Sequence, residues 1–155
     1  MKADVIRTLI DKKITIATAE SCTGGMLGKE ITSVSGASEI YGYGFITYAN
    51  EAKMNLLGVK KETLENYGAV SEQTATEMAI GARENAQSVI AVSTTGIAGP
   101  GGGTAEKPVG LVYISLAYEG GVLVKKLNLN GDRDSVRRET CENVFDFIDE
   151  FLKNH

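Results

Sequence analysis

Two short apolar runs, residues 14–19 (ITIATA) and 88–93 (SVIAVS), constrain the fold of this chain more than any other feature. Each reads as a buried strand and each runs directly into a stretch rich in glycine and hydroxyl side chains. The segments around them carry a helical period instead. Val5, Ile6, Leu9 and Ile10 share one helical face ahead of the first run. Leu27, Ile31 and Val34 recur at i, i+4 and i+7, which predicts a helix over 22–33 that Gly36 ends. Residues 42–48 (GYGFITY) read as a strand, and two short helical pieces follow near 50–57 and 60–66. Ser71 fits the N-cap of a helix that places Ala75, Met78, Ala79, Ala82 and Ala86 on one face. Residues 109–118 and 122–129 read as two strands joined by the Glu119–Gly121 turn, and a helix over 133–152 follows.

Helices alternating with buried strands predict an α/β fold, a three-layer α/β/α sandwich. The late hairpin makes its sheet mixed, though mostly parallel. The 155 residues fit one domain spanning 1–155, large enough to bury roughly two-thirds of its unfolded surface. A net charge of −4 argues against a general nucleic-acid binder, which needs a basic surface. No apolar run reaches the ~18 residues of a membrane helix. The opening Met-Lys-Ala-Asp lacks the apolar core of a signal peptide. Cys22 and Cys141 do not suggest a disulfide framework. A cytoplasmic protein is expected, with no membrane partner, and a homo-oligomer is left open.

The joint after the first strand, T-A-E-S-C-T-G-G over 18–25, sets Ser21, Cys22 and Thr23 side by side ahead of Gly24 and Gly25. At a helix N-terminus, free N–H groups favour an anion and can form an oxyanion hole, and glycine lets a ligand approach the backbone. Ser21 and Thr23 also fit simple helix caps, so both readings stand at this level. A nucleophilic serine needs a base. The only histidine, His155, is the last residue, in a tail expected to fray, so no Ser-His-Asp triad can be built. Lys53, five residues after Tyr48, could reach the same pocket and act as a base if burial lowered its pKa; a solvated lysine is the alternative.

Two further features point to binding. The loop T-T-G-I-A-G-P-G-G-G-T over 94–104 holds five of the 18 glycines and leaves a buried strand, which suits an anion nest better than a flexible connection. It is neither a Walker A loop nor a dinucleotide fingerprint. In the last helix Arg133 and Arg137 fall on the apolar stripe of Val136, Thr140, Val144, Phe147, Ile148 and Phe151. Arg137 therefore needs a partner, either an internal carboxylate or a ligand phosphate. No His or Cys cluster has metal-ligand spacing, so neither metal nor cofactor is expected.

The stretches T-A-E-S-C-T-G-G, G-F-I-T-Y-A-N-E-A-K, G-A-V-S-E, T-T-G-I-A-G-P-G-G-G-T, K-P-V-G-L-V-Y-I and G-D-R stand in the order of the CinA C-terminal domain family, which the chain resembles from about residue 3 to 152. That family contains nicotinamide mononucleotide (NMN) deamidases. The resemblance implies an α/β/α sandwich, here in its stand-alone form, and an amidase of pyridine nucleotide salvage that converts NMN to nicotinate mononucleotide and ammonia. By motif it implies Ser21 as nucleophile, Lys53 as base and Tyr48 as an assistant. Backbone donors would come from Cys22 and Thr23. The substrate would meet Gly24, Gly25, Thr95, Gly96, Gly99, Gly101, Thr104 and Arg137. A catalytically silent nucleotide-binding module, or an interaction domain in competence or DNA damage response, is the rival expectation.

Overall fold

The computed structural model describes residues 2–155. In chain order the elements are α1 (Lys2–Lys12), β1 (Ile16–Glu20), α2 (Met26–Thr32), a 3-10 turn (Ala37–Glu39), β2 (Tyr41–Ile46), α3 (Asn50–Leu57), α4 (Lys61–Tyr67), α5 (Glu72–Ala86), β3 (Ile90–Gly96), β4 (Leu111–Tyr118), β5 (Gly121–Asn128) and α6 (Arg133–Asn154). The five strands form one sheet in the order β2-β1-β3-β4-β5. β1 pairs in parallel with β2 and β3, while β4 runs antiparallel to both β3 and β5. Four strands thus point one way and β4 alone reverses, the mixed and mostly parallel sheet expected from the sequence.

The two sheet faces bury different residues because side chains alternate along a strand. Ile16, Ile90, Val92 and Ile114 pack with α1, α2 and α6 through Leu9, Leu27, Val136 and Ile148. Ala17, Ala19 and Ala91 face the other way, onto Leu57, Met78 and Ala82 of α3 and α5. The small alanines let that second layer sit close. At Gly81 a Cβ would overlap the Leu57 carbonyl, so α5 approaches the end of α3 backbone to backbone. Ser71 caps α5 as expected, accepting from the Thr74 N–H at 3.2 Å. Asp132 caps α6 through the Ser135 N–H at 2.8 Å.

Two expectations fail locally. α2 starts at Met26 rather than at 22, because Gly24 and Gly25 take left-handed φ values of +54° and +105° and residues 21–25 form turns. His155 does not hang free. Its ring stacks on Phe151 with centroids 4.5 Å apart and meets the edge of Tyr118. Among the described residues, no helix is long and apolar enough to cross a membrane.

Candidate active site

β1, β2 and β3 deliver their carboxyl ends to one rim of the sheet, where open α/β sheets bind ligands. Ser21 follows β1 directly and is 8 % exposed. Its N–H donates to the Thr94 carbonyl at 3.0 Å, and its carbonyl accepts from the Gly24 N–H at 3.1 Å. Lys53 comes from α3, which begins just past the end of β2. It is the largest fully buried side chain, at 1 % exposure. Its Nζ lies 3.0 Å from Ser21 Oγ, 2.8 Å from the Thr47 carbonyl and 3.4 Å from the Tyr48 carbonyl. Burial pushes the lysine pKa down to about 8.

That arrangement defines the chemistry available. A neutral amine has two N–H bonds and one lone pair. In the charged form Nζ donates to Ser21 Oγ and to both main-chain carbonyls; once it is neutral, the two carbonyls can engage its N–H bonds and leave the lone pair for the Ser21 hydroxyl. Serine then donates to lysine, the geometry a general base needs. The solvated-lysine alternative is excluded by the burial of Lys53.

The neighbouring hydroxyl and thiol are not equivalent to Ser21. Cys22 is buried, and desolvation pushes its thiol up to about 12, so it stays protonated at neutral pH. The Thr23 hydroxyl donates to Glu20 Oε1 at 2.6 Å and lies 2.8 Å from Thr94 Oγ1. Within residues 21–25, the N–H groups of Ser21, Gly24 and Gly25 donate to Thr94, Ser21 and Glu20. That of Thr23 has no acceptor among the described residues, and that of Cys22 meets only its own thiol sulfur. The turn thus ties neither N–H of the pair expected to face an oxyanion to another residue.

Glu20 is the residue that sequence reasoning missed. Its carboxylate, 1 % exposed, takes up the N–H groups of Gly25, Leu27 and Gly28 at 3.1, 2.9 and 3.0 Å. The N-terminus of α2 is therefore filled from within, and Ser21 does not cap it. The available signal was an acidic residue closing an otherwise uncharged strand, ahead of a glycine-rich helix start.

The outer residues divide. The Tyr48 side chain is 60 % exposed and its hydroxyl accepts from Arg133 Nη2 at 2.8 Å, so its carbonyl, not its hydroxyl, meets Lys53. Arg133 also donates through Nη1 to the Gly99 carbonyl at 2.8 Å, tying α6 to the glycine loop. Arg137 pairs with no internal carboxylate among the described residues: Nη2 donates to the Thr23 carbonyl at 3.0 Å, and Nε is buried with no acceptor among them. Its guanidinium lies over Gly24, where a Cβ would come within 2.8 Å of Nη2, so a side chain at 24 would displace it. A Cβ at Gly25 would come within 3.2 Å of the Ile46 side chain.

Thr95 is buried, and its hydroxyl donates to the Ala69 carbonyl at 2.8 Å. Gly96 ends β3 where a Cβ would press on the β4 backbone. Gly99 has a φ of +85° against Val109. Gly101 stands in open space, and nothing around it requires a glycine. Thr104 closes a turn of its own, its Oγ1 accepting from the Lys107 N–H at 2.9 Å. The structure thus brings Ser21, Lys53, Cys22, Thr23, Gly24 and Arg137 together around one turn, while Gly101 and Thr104 lie out on an exposed loop. A cavity of about 570 Å³ opens elsewhere, between α1, α2 and α6 over Met26, Cys141 and Phe145; neither Ser21 nor Lys53 lines it. Among the described residues, no group of three or more His, Cys, Asp or Glu side chains is placed to hold a metal ion.

Fold and site together define an α/β/α sandwich with a buried serine–lysine pair at the carboxyl ends of its parallel strands. The chain belongs to the CinA C-terminal domain family, whose profile matches residues 1–152. It is 60 % identical over 140 residues to a competence-damage inducible protein of Clostridium acetobutylicum, covering 90 % of this chain and 34 % of that protein. It is 53 % identical over 152 residues to one from Thermoanaerobacter pseudethanolicus, covering 98 % of this chain and 37 % of the relative. The chain therefore spans about a third of the length of these relatives. Among solved structures, a CinA superfamily protein from Klebsiella pneumoniae superposes with a TM-score of 0.95 at 31 % identity, covering 100 % of this chain and 99 % of that one. The competence/damage inducible protein CihA from Agrobacterium tumefaciens gives 0.90 at 40 % identity, with 95 % and 93 % coverage.

Proposed function

We propose that this domain hydrolyses the carboxamide of nicotinamide mononucleotide to nicotinate mononucleotide and ammonia. The observation that carries the reading is the 3.0 Å contact between Lys53 Nζ and Ser21 Oγ, with both remaining lysine contacts made to main-chain carbonyls. The choice of substrate rests on the resemblance of the site motifs to those of the NMN deamidases.

Ser21 Oγ attacks the amide carbon as its proton passes to Lys53, forming the C–O bond and an oxyanion held by the Cys22 and Thr23 N–H groups. The tetrahedral adduct collapses by breaking its C–N bond. The Lys53 ammonium returns the proton to the departing nitrogen, which leaves as ammonia. Water then attacks the nicotinoyl ester, giving a proton to Lys53. Cleavage of the ester C–O bond releases nicotinate mononucleotide, and Lys53 hands the proton back to Ser21. Tyr48 assists through the carbonyl that orients the amine, and its hydroxyl holds Arg133 at the rim. The unpartnered Nε of Arg137, with the glycine loop, is assigned to the substrate phosphate.

The test is to incubate the purified protein with NMN, with and without a chelator, and follow ammonia and nicotinate mononucleotide. Equal, stoichiometric release in both is the expected result. No release would favour the catalytically silent or interaction role. Release abolished by the chelator would overturn the metal-free mechanism.

A further inference from the structure

We propose that Glu20 is the positioning residue of the nucleophile turn, and that it, rather than the substrate, neutralises the N-terminus of α2. The inference rests on the reading of Ser21 as nucleophile. A carboxylate at 1 % exposure cannot be left uncompensated. No lysine, arginine or histidine pairs with it among the described residues. Its compensation is four donors: the N–H groups of Gly25 and Leu27 and the Thr23 hydroxyl on Oε1, and the Gly28 N–H on Oε2. Three of these are the main-chain donors that a helix start leaves unpaired.

The arrangement fixes the direction of the next hydrogen bond. The Thr23 hydroxyl has given its only proton to Glu20, so it must accept from the Thr94 hydroxyl 2.8 Å away. The carbonyl of the same Thr94 holds the Ser21 N–H. The turn is therefore pinned at 21 by Thr94, at 23 by Glu20 and Thr94, and at 25 by Glu20. Between these pins, the Thr23 N–H stays unclaimed and the Cys22 N–H meets only its own thiol sulfur, so neither is tied to another residue. Glu20 creates the donor pair without touching a reacting atom. It also removes α2 as a source of positive potential, leaving the Cys22 and Thr23 pair and the lysine to stabilise the oxyanion.

Glu20→Gln keeps the shape but sets an amide NH2 among donors. It should lower kcat on NMN by ~10²-fold, the scale of losing an oxyanion donor. KM should stay within about 3-fold, because no substrate contact is removed. The midpoint of the pH–rate profile near 8 should not move, because Lys53 remains buried. Glu20→Asp, which keeps the charge but reaches fewer donors, should fall between. Leu9→Ala, a core truncation in α1, serves as the control for stability: Tm falls and kcat holds. A Glu20→Gln enzyme that loses no more kcat than Leu9→Ala, or that loses only KM, overturns the proposal. The rate at which a fluorophosphonate probe labels Ser21 is measured in the same proteins. A parent that leaves NMN intact sinks the amidase reading alone, and the labelling ratio still judges Glu20. Equal labelling of parent and variant ends the positioning role, and Glu20→Asp carries the same measurement if the Gln variant does not fold.

Discussion

The turn at 20–25 and the loop at 97–108 both leave a strand at its carboxyl end, yet they are held in opposite ways. In the turn, Glu20, Ser21, Cys22 and Thr23 are all buried, and its hydrogen bonds run to other buried groups. The loop is tied at its base, where Ile97 and Gly110 bond to Leu111 and Ile97, and residues 100–106 are exposed. Farther out it is closed by the Thr104–Lys107 turn and by Lys107 Nζ on the Tyr67 carbonyl. The contrast separates two jobs. On the proposed reading, the atoms that would make and break bonds sit where reorganisation is costly, and those that would meet the rest of the substrate sit where the chain can adjust.

The sharpest way to break the comparison is at Ser21. Ser21→Ala should cost at least ~10³-fold in kcat with NMN binding retained, as expected when a nucleophile is lost. Cys22→Ala should keep most activity, since its backbone N–H survives. Loss confined to the Cys22 variant in a steady-state ammonia assay would show that the wrong side chain has been chosen.

Lys53→Arg keeps the charge but cannot give up a proton near neutrality, and should cost ~10²-fold or more. In the parent, activity should rise with pH through about 8, where the amine becomes neutral. Stability carries the same sign. Between about 8 and the unfolded value near ~10.4, the unfolded chain binds more protons than the folded one, so stability should climb with pH across that window. A flat pH–rate profile would reduce Lys53 to a structural role.

Arg137 lies on the border between the two regions, holding the Thr23 carbonyl while its Nε is free. Arg137→Ala should raise KM for NMN by ~10- to 100-fold, the range for a lost charged hydrogen bond. KM for nicotinamide riboside, which lacks the phosphate, should change little. Equal losses on both substrates would make Arg137 a support of the turn alone. The smallest effect is expected on the loop: Thr104→Ala should leave kcat within about 2-fold, since it removes one exposed hydrogen bond. A large fall in kcat there would erase the distinction between the two regions.

Much of this architecture could be read from residue order. The runs at 14–19 and 88–93 announce β1 and β3 because a strand covered on both faces has little choice but apolar residues. The start of α2 could not be read, because a cap is a statement about side chains near a helix end. Here a carboxylate from the preceding strand outcompetes Ser21 and Thr23 for the free N–H groups. Lys53 could be picked out only through its motif. Its burial depends on how α3 lies against β1 and α5, contacts that no local pattern encodes. That the Tyr48 hydroxyl accepts from Arg133, 85 residues away, while its carbonyl meets Lys53 was not legible in the sequence either.

The close approach of α5 to α3 at Gly81 reaches beyond packing. A Cβ there would overlap the Leu57 carbonyl, one turn past the lysine, so α3 or α5 would have to shift close to the reactive pair. Position 81 is therefore a criterion for sorting genomes. A homologous gene that retains the serine and the lysine but encodes a bulkier residue at this place is expected to specify a sandwich in which the two are held in a different geometry. A census of members should therefore score this glycine alongside the serine and the lysine.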